Sequence, residues 1–148
     1  MQPLKYSRLE DHPALPVQQQ EMSLESLLGT WTNTNSGNRG IAKLIVSEEQ
    51  AGLYLRIFGY QNPYLIDWGK VPIETVYARD VNSAEPMAFE ANYDLGFMDV
   101  QVQANFSLGL LVLACFNIFK DQSGRENYFS REFFCREKAG TQEQNDHA

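Results

Sequence analysis

Two histidines, His12 and His147, are all the chain offers for imidazole chemistry, and they lie close to its two ends. A Ser-His-Asp triad or a histidine zinc site within the body of the sequence is excluded by that count. The two cysteines, Cys115 and Cys135, form no Cys-x-x-Cys pair, which removes thioredoxin-type redox and zinc-ribbon chemistry. Without a histidine nearby, neither has the base a thiol nucleophile needs. Among the acids, Glu48-Glu49 occupies a turn, and Asp80, Glu85 and Glu90 are spread along loop and strand. Acid/base catalysis by carboxylates needs two of them across one cleft, so these read as solvated surface. Gly37-Asn38-Arg39-Gly40 is a turn with no helix after it to cradle phosphate, leaving Arg39 as a lone candidate anion contact. No catalytic residue, metal site or cofactor is expected. The candidates left for contact with a ligand are large rings and one cation: Trp31, Trp68, Tyr93, Phe116 and Arg131.

The elements that must position them belong to one domain. The chain has 148 residues, 43% of them hydrophobic, enough for a single core. A net charge of -7, from 12 basic and 19 acidic residues, argues against nucleic acid or an anionic membrane as partner. The first residues contain no apolar run behind a basic start, and the longest apolar run, Leu110 to Phe116, is too short to span a bilayer. A cytoplasmic protein is expected, so the Asn105-Phe106-Ser107 sequon is read as a chance match.

Residues 1–22, with three prolines and the Gln18-Gln19-Gln20 tract, read as an N-terminal arm, extended or mobile. Residues 139–148 read as a disordered tail. Between them, residues 23–138 carry apolar runs rich in Val, Ile, Tyr and Phe, separated by short turn clusters. Strands are expected at 29–34, 40–47, 52–60, 64–70, 72–80, 86–93, 97–107, 109–120 and 126–137. Short loops make neighbours antiparallel. The fold class is all-β: an antiparallel up-and-down meander of eight or nine strands that closes into a barrel, burying its apolar face and removing both edges.

Register decides which residues face inward. A turn centred on Ser123-Gly124 would oppose Ile118 with Phe129, Phe116 with Arg131, Ala114 with Phe133, and Val112 with Cys135. That face is expected inside, continued by Met98, Val100, Val102, Ala104 and Phe106. At the other hairpin, Val46 with Leu53, Leu44 with Leu55, and Ala42 with Ile57 supply the interior, joined by Phe89, Ala91 and Tyr93. The two cysteines then point to opposite faces of one hairpin, where no disulfide closes. Leu111, Leu113 and Phe119, with Phe134, are left outside as an apolar interface patch. Either the N-terminal arm covers that patch or a second subunit does, in a possible homodimer.

Leu28-Gly29-Thr30-Trp31 after a short helical turn resembles the opening of lipocalin-like (calycin) barrels. The resemblance implies that Trp31 plugs the closed end and that an arginine from the last strands packs across it, with Arg131 at a plausible position. The set Gly29-Thr30-Trp31-x-Asn33, Arg39-Gly40-Ile41 and Asp67-Trp68-Gly69 is similar to small uncharacterised bacterial proteins sharing a GTW…N…RGI…DWG pattern. In that group a Cys-His-Pro segment often precedes DWG. Here Gln61-Asn62-Pro63-Tyr64-Leu65-Ile66 keeps the proline alone, so any metal or redox chemistry of that segment is not expected. The expected function is non-catalytic binding of a small, mainly apolar ligand inside the barrel. The alternative is a filled barrel that acts as a scaffold through its outer apolar face.

Overall fold

The computed structural model describes residues 4–11, 21–37, 40–50, 52–61 and 63–138. His12, Arg39, His147 and the expected tail lie outside the described residues. Eight strands follow one another: β1 (Gly29–Asn33), β2 (Ile41–Glu49), β3 (Gly52–Gln61), β4 (Tyr64–Ala78), β5 (Pro86–Asp94), β6 (Met98–Ser107), β7 (Leu110–Phe119) and β8 (Tyr128–Arg136). Each pairs antiparallel with the next, and β1 closes on β8, giving an all-β up-and-down closed barrel. The β1–β2, β3–β4, β5–β6 and β7–β8 loops therefore share one end, the mouth. The other end is closed by the segment before β1. No helix among the described residues is long and apolar enough to cross a membrane.

The described residues form eight strands because the expected strands at 64–70 and 72–80 are one, β4. Gly69, at φ +90°, marks a bulge where the pairing slips between Arg56 and Phe58, and a second slip lies between Ile73 and Thr75. Each bulge adds a residue and flips the inward parity, which is why Trp68, Val71, Ile73 and Val76 all pack against the core despite their odd spacing. The strand survives Pro72 because pairing with β5 begins only at Ile73, so the missing N–H removes no bond on that side.

The β2–β3 hairpin is two residues out of the expected register: Leu44 opposes Ile57 and Val46 opposes Leu55. Its turn includes Gln50, at φ 49°. A slip of two keeps every side chain on its own face, so Leu44, Val46, Leu53, Leu55 and Ile57 are buried as expected.

At β7–β8 the correction is larger, because the faces themselves are exchanged. Phe116 opposes Phe129, Ala114 opposes Arg131, Leu113 opposes Glu132 and Leu111 opposes Phe134. Leu111, Leu113, Cys115 and Phe134 are buried in the lumen, and Phe119 packs against the same core. The residues expected to form the outer patch are thus inside. Phe116, Ile118, Phe129 and Phe133 are exposed instead, Arg131 also lies on the outside, and Cys135 is the exposed thiol while Cys115 is the buried one. The cause is at the other end of β7. Leu108 and Gly109, both at positive φ, make a two-residue turn that puts Phe106 opposite Leu111 and so carries the inward face of β6 onto the odd-numbered residues of β7. The β7–β8 connection, by contrast, is an eight-residue loop, shaped by Asp121 accepting from Ser123 N at 3.1 Å and by Arg125 lying 4.1 Å over the Phe119 ring. It imposes no tight-turn register.

At the closed end Trp31 is buried, and its indole N–H donates to Leu27 O at 3.1 Å. The arginine across it is Arg136, not Arg131. Arg136 is the residue opposite Trp31 at the β1–β8 seam, with its guanidinium 5.7 Å from the ring. It donates to Glu25 O at 2.7 Å and to Leu28 O, tying the segment before β1 to the last strand. Gly29 makes room: its φ is +125°, and a Cβ there would stand 3.3 Å from Arg136 Nε.

Candidate functional site

The exchange of faces on β7 and β8 changes what the lumen can hold. Inward positions on β8 are Ser130, Glu132 and Phe134 rather than Phe129, Arg131 and Phe133, so small and polar groups replace bulky rings toward the mouth. The result is a cavity of about 230 Å³. Ile41, Tyr60, Ile66, Trp68 and Tyr128 contribute its apolar and aromatic walls, and Cys115, Asn117, Ser130 and Glu132 its polar side. Deeper in, Leu44, Leu55, Val102, Leu113 and Phe89 fill the barrel with fully buried side chains.

The bulge in β4 positions Trp68. Asp67 Oδ1 accepts from Gly69 N at 2.8 Å, and Arg56 Nε donates to both oxygens of Asp67 at 3.1 and 3.0 Å. That hydrogen bonding to Arg56 holds the Asp67 carboxyl below its ordinary value. The irregular pairing is satisfied from inside by Tyr93, whose hydroxyl accepts from Ile57 N at 3.1 Å and reaches Gly69 O at 2.8 Å and Leu55 O at 3.1 Å. Burial, above all, raises the Tyr93 phenol well above its ordinary range, so it stays protonated as a donor. Trp68 then stands edge-on to Tyr93, ring centres 5.6 Å apart at 83°. Its Nε1 lies where a Cβ at Gly59 would come to 3.0 Å, so a larger residue there would press on the indole.

The opposite wall is set by hydrogen bonds from uncharged donors. Glu132 Oε2 accepts from Asn33 Nδ2 at 2.8 Å and from Ile41 N at 3.3 Å, joining β8 to β1 and β2. Asn33 also donates to Ile41 O at 2.8 Å and accepts from Asn35 N, which braces the start of the β1–β2 loop. Asn117 is only 4% exposed and donates to Cys115 O and Tyr128 O at 3.3 and 3.2 Å. Its side chain lines the cavity, and among the described residues no buried side-chain nitrogen or oxygen lacks a hydrogen-bond partner. The Cys115 thiol is pushed up to about 12, first by burial and then by the nearby Glu132 charge, so at neutral pH it is a protonated wall group rather than a nucleophile. Among the described residues no group of three His, Cys, Asp or Glu side chains is placed to hold a metal ion.

Of the five candidate contact residues, the structure brings together Trp68, on the cavity wall, and Tyr93, buried beneath it. Trp31 lies at the closed end against Phe106, and Phe116 and Arg131 are on the outer surface. Asn117, Ser130 and Glu132 were not anticipated. Asn117 carried a signal, as a lone amide within the apolar strand 110–119; Glu132 and Ser130 became legible only with the register. The quoted sequence pattern divides accordingly. Gly29 and Trp31 build the closed end, while Asn33, Gly40, Ile41, Trp68 and Gly69 gather around the mouth. A larger hollow of about 390 Å³ on the β1–β8 seam shares Ser130 and Glu132 but has Phe133 as its one large apolar wall. No protein-family model, curated protein or solved structure matches the chain.

Proposed function

We propose that the barrel is lipocalin-like and binds one small, mainly apolar molecule at its mouth, against Trp68, without a cofactor. The observation that carries this reading is the 230 Å³ space whose walls set Trp68, Ile66 and Tyr128 beside the polar groups of Asn117, Ser130 and Glu132. A cavity with aromatic walls and a few convergent polar groups is how small-molecule sites are built. The volume lies below the usual range for drug-sized ligands, which points to a compact molecule, one ring or a short chain with a donor group. The Trp31–Arg136 clamp supports the lipocalin-like reading of the closed end. In this reading Trp68 and Ile66 contact the apolar body, Asn117 takes the donor, and Tyr93 positions Trp68.

Benzyl alcohol, a single ring with one hydroxyl, is a suitable probe in a ¹H–¹⁵N NMR titration. The Trp68 indole N–H resonance is expected to move saturably, while that of Trp31, bonded to Leu27 O, stays in place. Ser130→Phe, which fills the cavity, is expected to abolish the shift. No movement at Trp68 with this probe and with cyclohexanol, or equal movement at both indoles, would count against the site.

A further inference from the structure

We propose that the outer face of β7 and β8 pairs two copies of this chain in a symmetric dimer. Along β7 the outward residues are Val112, itself covered to 4% exposure, Ala114, Phe116 and Ile118, and along β8 they are Phe129, Arg131, Phe133 and Cys135. Phe116 is 39% exposed, Ile118 50%, Phe129 55% and Phe133 40%, and the Phe116 and Phe129 rings touch at 5.2 Å between centres. The strip is bounded by the polar outer row of β6 (Asp99, Gln101, Gln103 and Asn105) and on the other side by Thr32 and Thr34. An apolar centre with a polar rim is the anatomy of a protein interface.

Size and cover both point to a second copy. Those four side chains expose about 350 Å² of apolar surface, the scale of the largest patch on an ordinary monomer. Doubled across a two-fold axis and widened by the β6 and β1 rims, it approaches the roughly 1,200 Å² at which stable interfaces begin. The N-terminal segment does not shield it where it is described: Leu4, Tyr6 and Leu9 are 96%, 92% and 90% exposed. A two-fold axis lying along β7 lays β8 of each copy over β6 of the other. That arrangement sets Arg131, which has no ion-pair partner among the described residues and lies 5.5 Å over the Phe133 ring, opposite the partner's Gln101 and the partner's Gln103. A donor-rich guanidinium against a row of amide oxygens is a complementary rim.

Sedimentation equilibrium of the full chain from about 1 to 100 µM tests this, a range that spans micromolar dissociation constants. The wild type is expected to approach twice 16.9 kDa. Phe129→Glu and Phe116→Glu are expected to remain at the monomer mass with unchanged near-ultraviolet dichroism, and Ser47→Glu on the outer face of β2 to dimerise as the wild type does. Should the phenylalanine variants fail to fold, Gln103→Arg on the exposed rim is expected to weaken association about tenfold by facing Arg131 of the partner subunit. A wild type that stays monomeric at 100 µM overturns the proposal, as does a dimer indifferent to all three face variants. A chain lacking residues 1–20 that dimerises where the full chain does not would assign the face to the arm instead.

Discussion

Phe133 and Phe134 are neighbours in sequence with opposite fates, and substituting each by alanine tests the placement of β8. Phe134 is 0% exposed inside the barrel. Its removal loses roughly 130 Å² of buried apolar area, about 3 kcal/mol, and leaves a cavity that surrounding strands cannot collapse, for a total of about 4 kcal/mol. Phe133 lies on the outer wall, so its loss opens no enclosed void and is expected to cost about 1 kcal/mol. Urea denaturation followed by tryptophan fluorescence measures both, at a protomer concentration low enough to keep the chain monomeric, because Phe133 lies on the proposed dimer face. The midpoint of Phe134→Ala should fall several-fold further than that of Phe133→Ala with similar slopes, and its melting temperature should drop by about 10 °C. Equal losses, or a larger loss for Phe133→Ala, would refute the face assignment and with it the cavity at the mouth.

Other outcomes follow from named contacts. Arg136→Met removes two carbonyl contacts and the stacking on Trp31, and should destabilise by about 2 kcal/mol, while Arg131→Met should change the monomer by less than about 0.5 kcal/mol, read from urea melts. Tyr93→Phe leaves the Ile57 N–H of β3 without its acceptor opposite the β4 bulge, and a loss of about 2 kcal/mol with a displaced Trp68 indole resonance is expected. Leu108→Asn should stabilise by about 1 kcal/mol in thermal melts, because Leu108 holds φ 52° in the β6–β7 turn where asparagine fits with less strain. In native protein near pH 8, an aromatic disulfide reagent should modify one thiol, Cys135, and a second only after unfolding; two rapid modifications would mean that Cys115 is not shielded. The Cys115 thiol, raised from 9.0 to about 12, also sets a sign for pH dependence. Its contribution to stability is complete below the unfolded value and is lost as pH rises from about 9 toward 12, since the unfolded thiol ionises first. The urea midpoint should therefore fall between about pH 8 and pH 10.5, and less steeply in Cys115→Ala.

The composition and the turn punctuation were enough to establish an all-β meander, and β6 shows why. Its alternation of Met98, Val100, Val102 and Ala104 with Asp99, Gln101 and Gln103 assigns inside and outside with no knowledge of any neighbour. Closure into a barrel followed from so much apolar strand with no helix to cover it. The two tryptophans and the glycine of Gly29-Thr30-Trp31 likewise stood out as types that plug or line a barrel.

What only the tertiary structure decided was parity. β7 is apolar on both faces, so its pattern carries no preference for inside or outside, and β8 offers Phe129 and Phe133 on one face against Phe134 on the other. The choice fell to long-range constraints: a two-residue turn at Leu108-Gly109 that transmits the β6 face, and the need for the residue opposite Trp31 to be an arginine long enough to reach the carbonyls of Glu25 and Leu28. β4 shows the same limit, since its bulges at Gly69 and before Thr75 shift the inward set by one residue each, and the first is held by the long-range Tyr93 hydroxyl bonds to Ile57 and Gly69 as well as by Asp67. A period of two makes every single-residue slip exchange the faces of a strand. That is why the composition of the lumen, and the small polar cavity at its mouth, had to wait for the fold.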